Sequence, residues 1–166
     1  MRRSVLLFTS ILALSLVLGA VVSPYEAFER KPPTPERKKP ERNDVPFTTI
    51  DSGSNSGVDT RGGVTVRDEG EWLALWRRHT ANQHPAPPRP AVDFSSEMVV
   101  AVFSGERRSG GFSIQVDRIK NTGNKLMVMV SESTPAPGSI NMMMITQPYH
   151  IVRLGKSSLP VIFQGL

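Results

Sequence analysis

The chain has 166 residues, of which 39% are apolar and 21% charged, and it contains no cysteine. That balance suits one globular domain with appendages, and it excludes disulfides, thiol nucleophiles and Cys-ligated zinc. The net charge of +5 is spread out: residues 46–166 hold twelve basic against ten acidic side chains, with no dense basic stripe, so no nucleic-acid partner is expected.

Residues 1–22 read MRRSVLLFTSILALSLVLGAVV. A short basic start before an apolar run predicts a secretory signal, with a cut after Ala20. The run is near the lower limit for spanning a bilayer, so an uncleaved anchor is the alternative. Either way the chain is expected to be exported, to the periplasm, cell surface or exterior, and to meet a membrane only through this segment. Residues 23–45 mix both charge signs with Pro32, Pro33, Pro35 and Pro40, and predict an extended linker. The PPTP run within it is also a proline-rich ligand pattern. Residues 46–166 are expected to form the domain.

Within that domain, the stretch from Phe47 predicts a short strand, a Gly/Ser/Asn loop and a second strand over 64–67. Asp68 with Glu71 has the spacing of a capping box. Trp72, Leu75, Trp76 and His79 then follow at helical spacing, a stripe that packs on a sheet. NQHPAPPRPAVDF has no regular pattern and is expected to cross the surface, anchored by Val92 and Phe94. EMVVAVF is apolar at both parities, which predicts a central strand covered on both faces. Phe112, Ile114 and Val116 alternate with polar residues, so that strand has one wet face. Thr122-Gly123 predicts a hairpin connection into a strand over 125–132. Pro148 lacks an N–H, so a strand through it is expected to be an edge strand or a bend. The run Met142–Met144 is read as filler for irregular core gaps, with an adaptable contact surface as the alternative. A last strand is expected over 159–163. The fold class is α+β: a mostly antiparallel sheet, meander or sandwich-like, with one amphipathic helix packed on it.

No G-x-S-x-G, P-loop or G-x-G-x-x-G occurs, and His79, His84 and His150 are not paired at metal-ligand spacing. A non-enzyme without metal or cofactor is expected.

Taken in order, Trp72, Trp76 and His79, then PAVDF, EMVVAVFSGERRSGGFSIQV, TPAPG and TQPYHIVRL together resemble the PrcB C-terminal-like family over residues 46–163. The resemblance implies an accessory component of a bacterial cell-surface protease complex, one that stabilises or partners a protease. Family members typically carry a loop like RPTGGY. Here Arg108, Ser109 and Phe112 replace Pro, Thr and Tyr, while Gly110 and Gly111 are kept.

If the strands over 98–104, 112–119 and 125–132 form a simple meander, loops 106–111 and 134–138 lie at the same end. Glycines there permit close approach of another backbone, prolines limit the freedom lost on docking, and Arg107 and Arg108 can pair with carboxylates. The candidate partner-binding residues are therefore Arg107, Arg108, Ser109, Gly110, Gly111, Phe112, Pro135, Pro137, Gly138 and Tyr149. Two ordinary hairpin connections with solvated arginines are the competing reading. Three functions follow: a protease-associated accessory module, a protease inhibitor whose loop edge resembles chagasin-like inhibitors, or a small-molecule or glycan-binding envelope domain.

Overall fold

The computed structural model of the protein describes residues 43–166. The signal or anchor segment and nearly all of the expected linker lie outside the described residues. Seven strands and one helix follow in the order β1 (Phe47–Gly53), β2 (Gly62–Val66), α1 (Glu69–His79), β3 (Glu97–Phe103), β4 (Ser113–Asn121), β5 (Leu126–Ser133), β6 (Tyr149–Gly155) and β7 (Val161–Gln164). None of the described helices is long and apolar enough to cross a membrane.

The strands form two sheets. One has the order β1-β6-β3-β2, all antiparallel, and the other β4-β5-β7. β4 and β5 are an antiparallel hairpin with a bulge at Asp117, and β7 lies parallel to β5. The fold is thus α+β and mostly antiparallel, as the patterning predicts, with one parallel pair at the end.

β3 decides the layering. Its side chains alternate between two cores. Met98, Val100 and Val102 meet Val152, Leu154 and the inward residues of β4 and β5. Val99, Ala101 and Phe103 meet Trp72, Leu75, Trp76 and Ile151 on the helix side. The four-stranded sheet is therefore the middle layer, with α1 on one face and the three-stranded sheet on the other. A strand covered on both faces needs no polar parity, which is why EMVVAVF reads as an unbroken apolar run.

α1 starts where its cap chemistry dictates. Asp68 accepts from the Glu71 amide at 2.8 Å, and the Glu71 carboxylate accepts from the Arg67 amide at 2.8 Å. This satisfies two donors at the helix start. The buried stripe is Trp72, Leu75, Trp76 and His79, as expected. The two indole N–H groups donate to the Pro90 and Pro87 carbonyls, at 2.9 and 3.2 Å. The proline-rich crossing thus satisfies both tryptophans, and Val92 and Phe94 anchor it to the same core.

Four expectations need correction. β3, β4 and β5 are not a meander, because β3 pairs with β2 and β6 in the other sheet. No strand runs through Pro148, at an edge or otherwise: it stands just before β6, which lies between β1 and β3 and keeps every amide its ladder uses. The methionines at 142–144 are exposed rather than core-filling. Tyr149 is buried at the start of β6, paired with Phe103.

Candidate functional site

The β3–β4 loop and the β5–β6 segment are brought together at one end of the molecule. β4 starts opposite the end of β5, with Ser113 across from Ser133, so both connections leave the same edge. They then zip together. The Arg107 and Thr146 backbones exchange two hydrogen bonds, at 2.7 and 2.8 Å. The Gly110 amide donates to the Met142 carbonyl at 2.9 Å, and the Thr146 hydroxyl donates to the Ser109 carbonyl at 3.0 Å. Gly111 has φ +86°, and a Cβ there would stand 2.5 Å from Asn141 Oδ1 and 3.0 Å from Pro135 Cγ. Both the turn and the close approach require glycine.

This zipping spends backbone groups inward and leaves apolar side chains outward. Ile140, Met142, Met143, Met144 and Ile145 are all exposed. Contiguous exposed apolar side chains of this size mark contact sites in folded proteins. The sequence pattern places the neighbouring SGG loop in the site and reads Met142–Met144 as core filler, with a contact surface as the alternative; the exposed strip favours the alternative.

The expected site residues separate into two groups. Arg108 is exposed and forms no ion pair with a described residue, and Pro137 and Gly138 are exposed, Gly138 at φ +77°. Ser109, Gly110 and Pro135 are partly covered within the zipped pair, and Gly111 is exposed. Arg107 has a different task. Its guanidinium donates to Ser104 Oγ at 2.9 Å, meets Glu132 Oε2 at 3.3 Å, and lies 5.3 Å from the Phe112 ring centroid. Glu132 also pairs with Arg61, at 3.1 Å. Arg107 and Phe112 therefore brace the loop. Tyr149 belongs to neither group, being a core residue.

Tyr149 leads to a second polar cluster. Its hydroxyl donates to Asp51 Oδ2 at 3.1 Å, and its ring meets His79 edge-on at 4.3 Å between centroids. His79 Nε2 lies 3.3 Å from the same Asp51 oxygen, and His79 Nδ1 lies 3.0 Å from Ser56 Oγ. A serine, a histidine and an aspartate in a row resemble a hydrolytic triad. Access argues otherwise, and the two ring nitrogens are exchanged relative to such a triad. The Asp51 carboxylate can only accept, so in the neutral ring Nε2 carries the proton and Nδ1 accepts from the Ser56 hydroxyl, whose oxygen also accepts from the Val58 amide at 3.1 Å. Ser56 is wholly buried, and Asp51 is the more exposed end. No substrate carbonyl can reach the hydroxyl. Burial holds the His79 pKa below its ordinary value despite Asp51. Burial first, then the Asp51 charge, holds the Tyr149 phenol far above its usual range. The cluster joins β1, the β1–β2 loop, α1 and β6 at its four members. Nothing in the sequence links Asp51 or Ser56 to His79 beforehand.

His150 is a smaller version of the same device. Its Nδ1 accepts from the Val116 amide at 2.9 Å, beside the β4 bulge, and its Nε2 meets Thr49 Oγ1 at 2.8 Å. Burial lowers its pKa as well. Among the described residues no group of three or more His, Cys, Asp or Glu side chains could hold a metal ion.

The loop pair and the strands that frame it are the part of the chain with a recognised pattern. Residues 98–155 match the family model described as PrcB C-terminal. The match bears out the resemblance for β3 to β6, including both zipped loops. α1 with its tryptophans, β1, β2 and β7 lie outside the matched residues, so the match is shorter than the expected 46–163. No curated protein and no solved structure matches the chain significantly. At most, the PrcB C-terminal match points to a protease-complex-associated accessory role.

Proposed function

We propose that this protein is a non-catalytic, exported accessory partner of a cell-envelope or secreted protease, and that it docks through the zipped loops. The observation that carries the reading is the exposed strip Ile140–Ile145 laid along residues 107–110. The PrcB C-terminal match covers the same loops. Methionine-rich surfaces adapt to a partner's shape, and the braced Arg107 and the Gly111 turn hold this one in place, which limits the ordering lost on binding. Arg108, at the rim, is free to pair with a partner carboxylate. Residues 1–22 act as the export signal or anchor, and the linker over 23–45 as a tether that ends where the Asn43 carbonyl and Val45 amide bond to β4.

An inhibitor with a chagasin-like loop edge fits less well. That reading used Tyr149 as the exposed aromatic, and Tyr149 is buried against His79.

The test is site-specific photo-crosslinking in the cells that make the protein. A photoreactive amino acid is placed at position 143 or, as a control, at position 123 on the β4–β5 turn. A protease crosslinked from 143 and not from 123 supports the proposal. Equal crosslinking from both removes the site, and a specific non-protease product removes the partner class.

A further inference from the structure

We propose that Met142 and Met143 form a methionine-oxidation site, at which peroxide-class oxidants convert the apolar strip into a polar one while the fold stays intact. Its consequence for docking rests on the accessory reading above; the modification itself does not.

The chain divides its described methionines sharply. Met142 is 74% exposed and Met143 88%, whereas Met98 is 0% exposed and Met127 and Met129 are partly covered on β5. Thioether oxidation follows access to the sulfur. Met144, at 50%, is next in order. The reaction needs nothing from the protein. The sulfur lone pair attacks one peroxide oxygen, the O–O bond breaks and an S=O bond forms. The sulfur loses two electrons, and the other oxygen leaves as water after taking up the proton. Sulfoxides are polar, and dithiol-dependent reductases return them to thioethers.

The geometry separates this change from folding. Met142 and its neighbours attach through their backbones: the Met142 carbonyl accepts from Gly110, and Thr146 pairs with Arg107. Neither bond uses a thioether. The side chains point away from both cores, which are built without residues 140–145. Adding oxygen there removes apolar surface from the outside and leaves the inside packed. Besides adapting to a partner's shape, the thioethers carry a reactivity that the flanking Ile140 and Ile145 lack. Three consecutive exposed methionines give the same surface a reversible chemical state.

The experiment treats the full chain with dilute hydrogen peroxide over a time course. Peptide mass spectrometry assigns the added oxygen, near-ultraviolet circular dichroism follows Trp72 and Trp76, and retention on a phenyl matrix reports the apolar surface. Sulfoxide is expected first at Met142 and Met143, with an unchanged tryptophan spectrum and a loss of retention. A Met142→Leu/Met143→Leu/Met144→Leu variant is expected to keep its retention after the same treatment, and Met142→Gln/Met143→Gln to lack it without treatment. Equal early oxidation at Met127 or Met129, loss of the tryptophan signal in step with oxidation, or unchanged retention would each overturn the proposal. Repeating the crosslinking from positions 123 and 144 with both unoxidised and oxidised protein separates the two readings. A protease product from 144 that is lost on oxidation is expected, one that survives oxidation removes the docking consequence alone, and absence of any protease product from the unoxidised protein counts against the accessory reading alone.

Discussion

Acid should unfold this domain through two buried histidines. His79 and His150 each have both ring nitrogens engaged, in a pattern that fits a neutral ring. Burial lowers both pKa values relative to the unfolded chain. Below about pH 6.5 the unfolded chain takes up protons that the folded one refuses. Stability is therefore fully present above that pH and falls as pH drops through it. In the limit where neither ring titrates while folded, each histidine removes about 1.4 kcal/mol by pH 5.5, or roughly 3 kcal/mol for the pair. That is a large part of the ~5–15 kcal/mol by which domains are stable. Urea unfolding at pH 7.5, 6.5 and 5.5, followed by the fluorescence of buried Trp72 and Trp76, measures the slope. His150→Gln should reduce the slope by about half. Stability that stays flat, or rises toward pH 5.5, would refute the reasoning, because a charged His79–Asp51 ion pair gains from acid where a neutral His79 loses.

Other perturbations test the packing. A Cβ at Gly63 would stand 2.5 Å from the Phe163 ring, so Gly63→Val should destabilise by about 1–3 kcal/mol in urea titration, with β7 loosened first by hydrogen exchange. Ile119 is wholly buried between the sheets, and Ile119→Ala should lose about 2–5 kcal/mol in the same titration. Glu132→Gln weakens the pairing to Arg61 and Arg107; hydrogen exchange should quicken over residues 104–112 while global stability moves by about 1 kcal/mol or less.

Periodicity was a good guide wherever one element's own residues carry the signal. The α1 stripe, its Asp68 cap and the two-sided burial of β3 are all local patterns. What it could not supply was the partner of each strand. Adjacent strands often pair, which favours a meander, but β3 must be covered twice. Only β2 and β6 flank it, and α1 and the β4–β5 hairpin cover its faces. The loop pairing was still foreseeable, because it depends on the β4–β5 hairpin alone. Tyr149 was misplaced because Pro148 beside it suggested a turn, although a proline just outside a strand costs no ladder bond. The methionines at 142–144 were misplaced because their composition favours the core. Their exposure comes from the backbone bonds to Arg107 and Gly110, which no side-chain pattern announces.

The central position of β6 also bears on how the domain is made. During synthesis Glu97–Phe103 appears well before Tyr149–Gly155, the strand that lies beside it. Until then a seven-residue strand, apolar from Met98 to Phe103 and with one flank unpaired, has no complete sheet to join. Such a segment is a template for pairing with other chains. Newly made chains therefore pass through an interval in which this flank is open to pairing with other chains, and β6 ends that interval by occupying it.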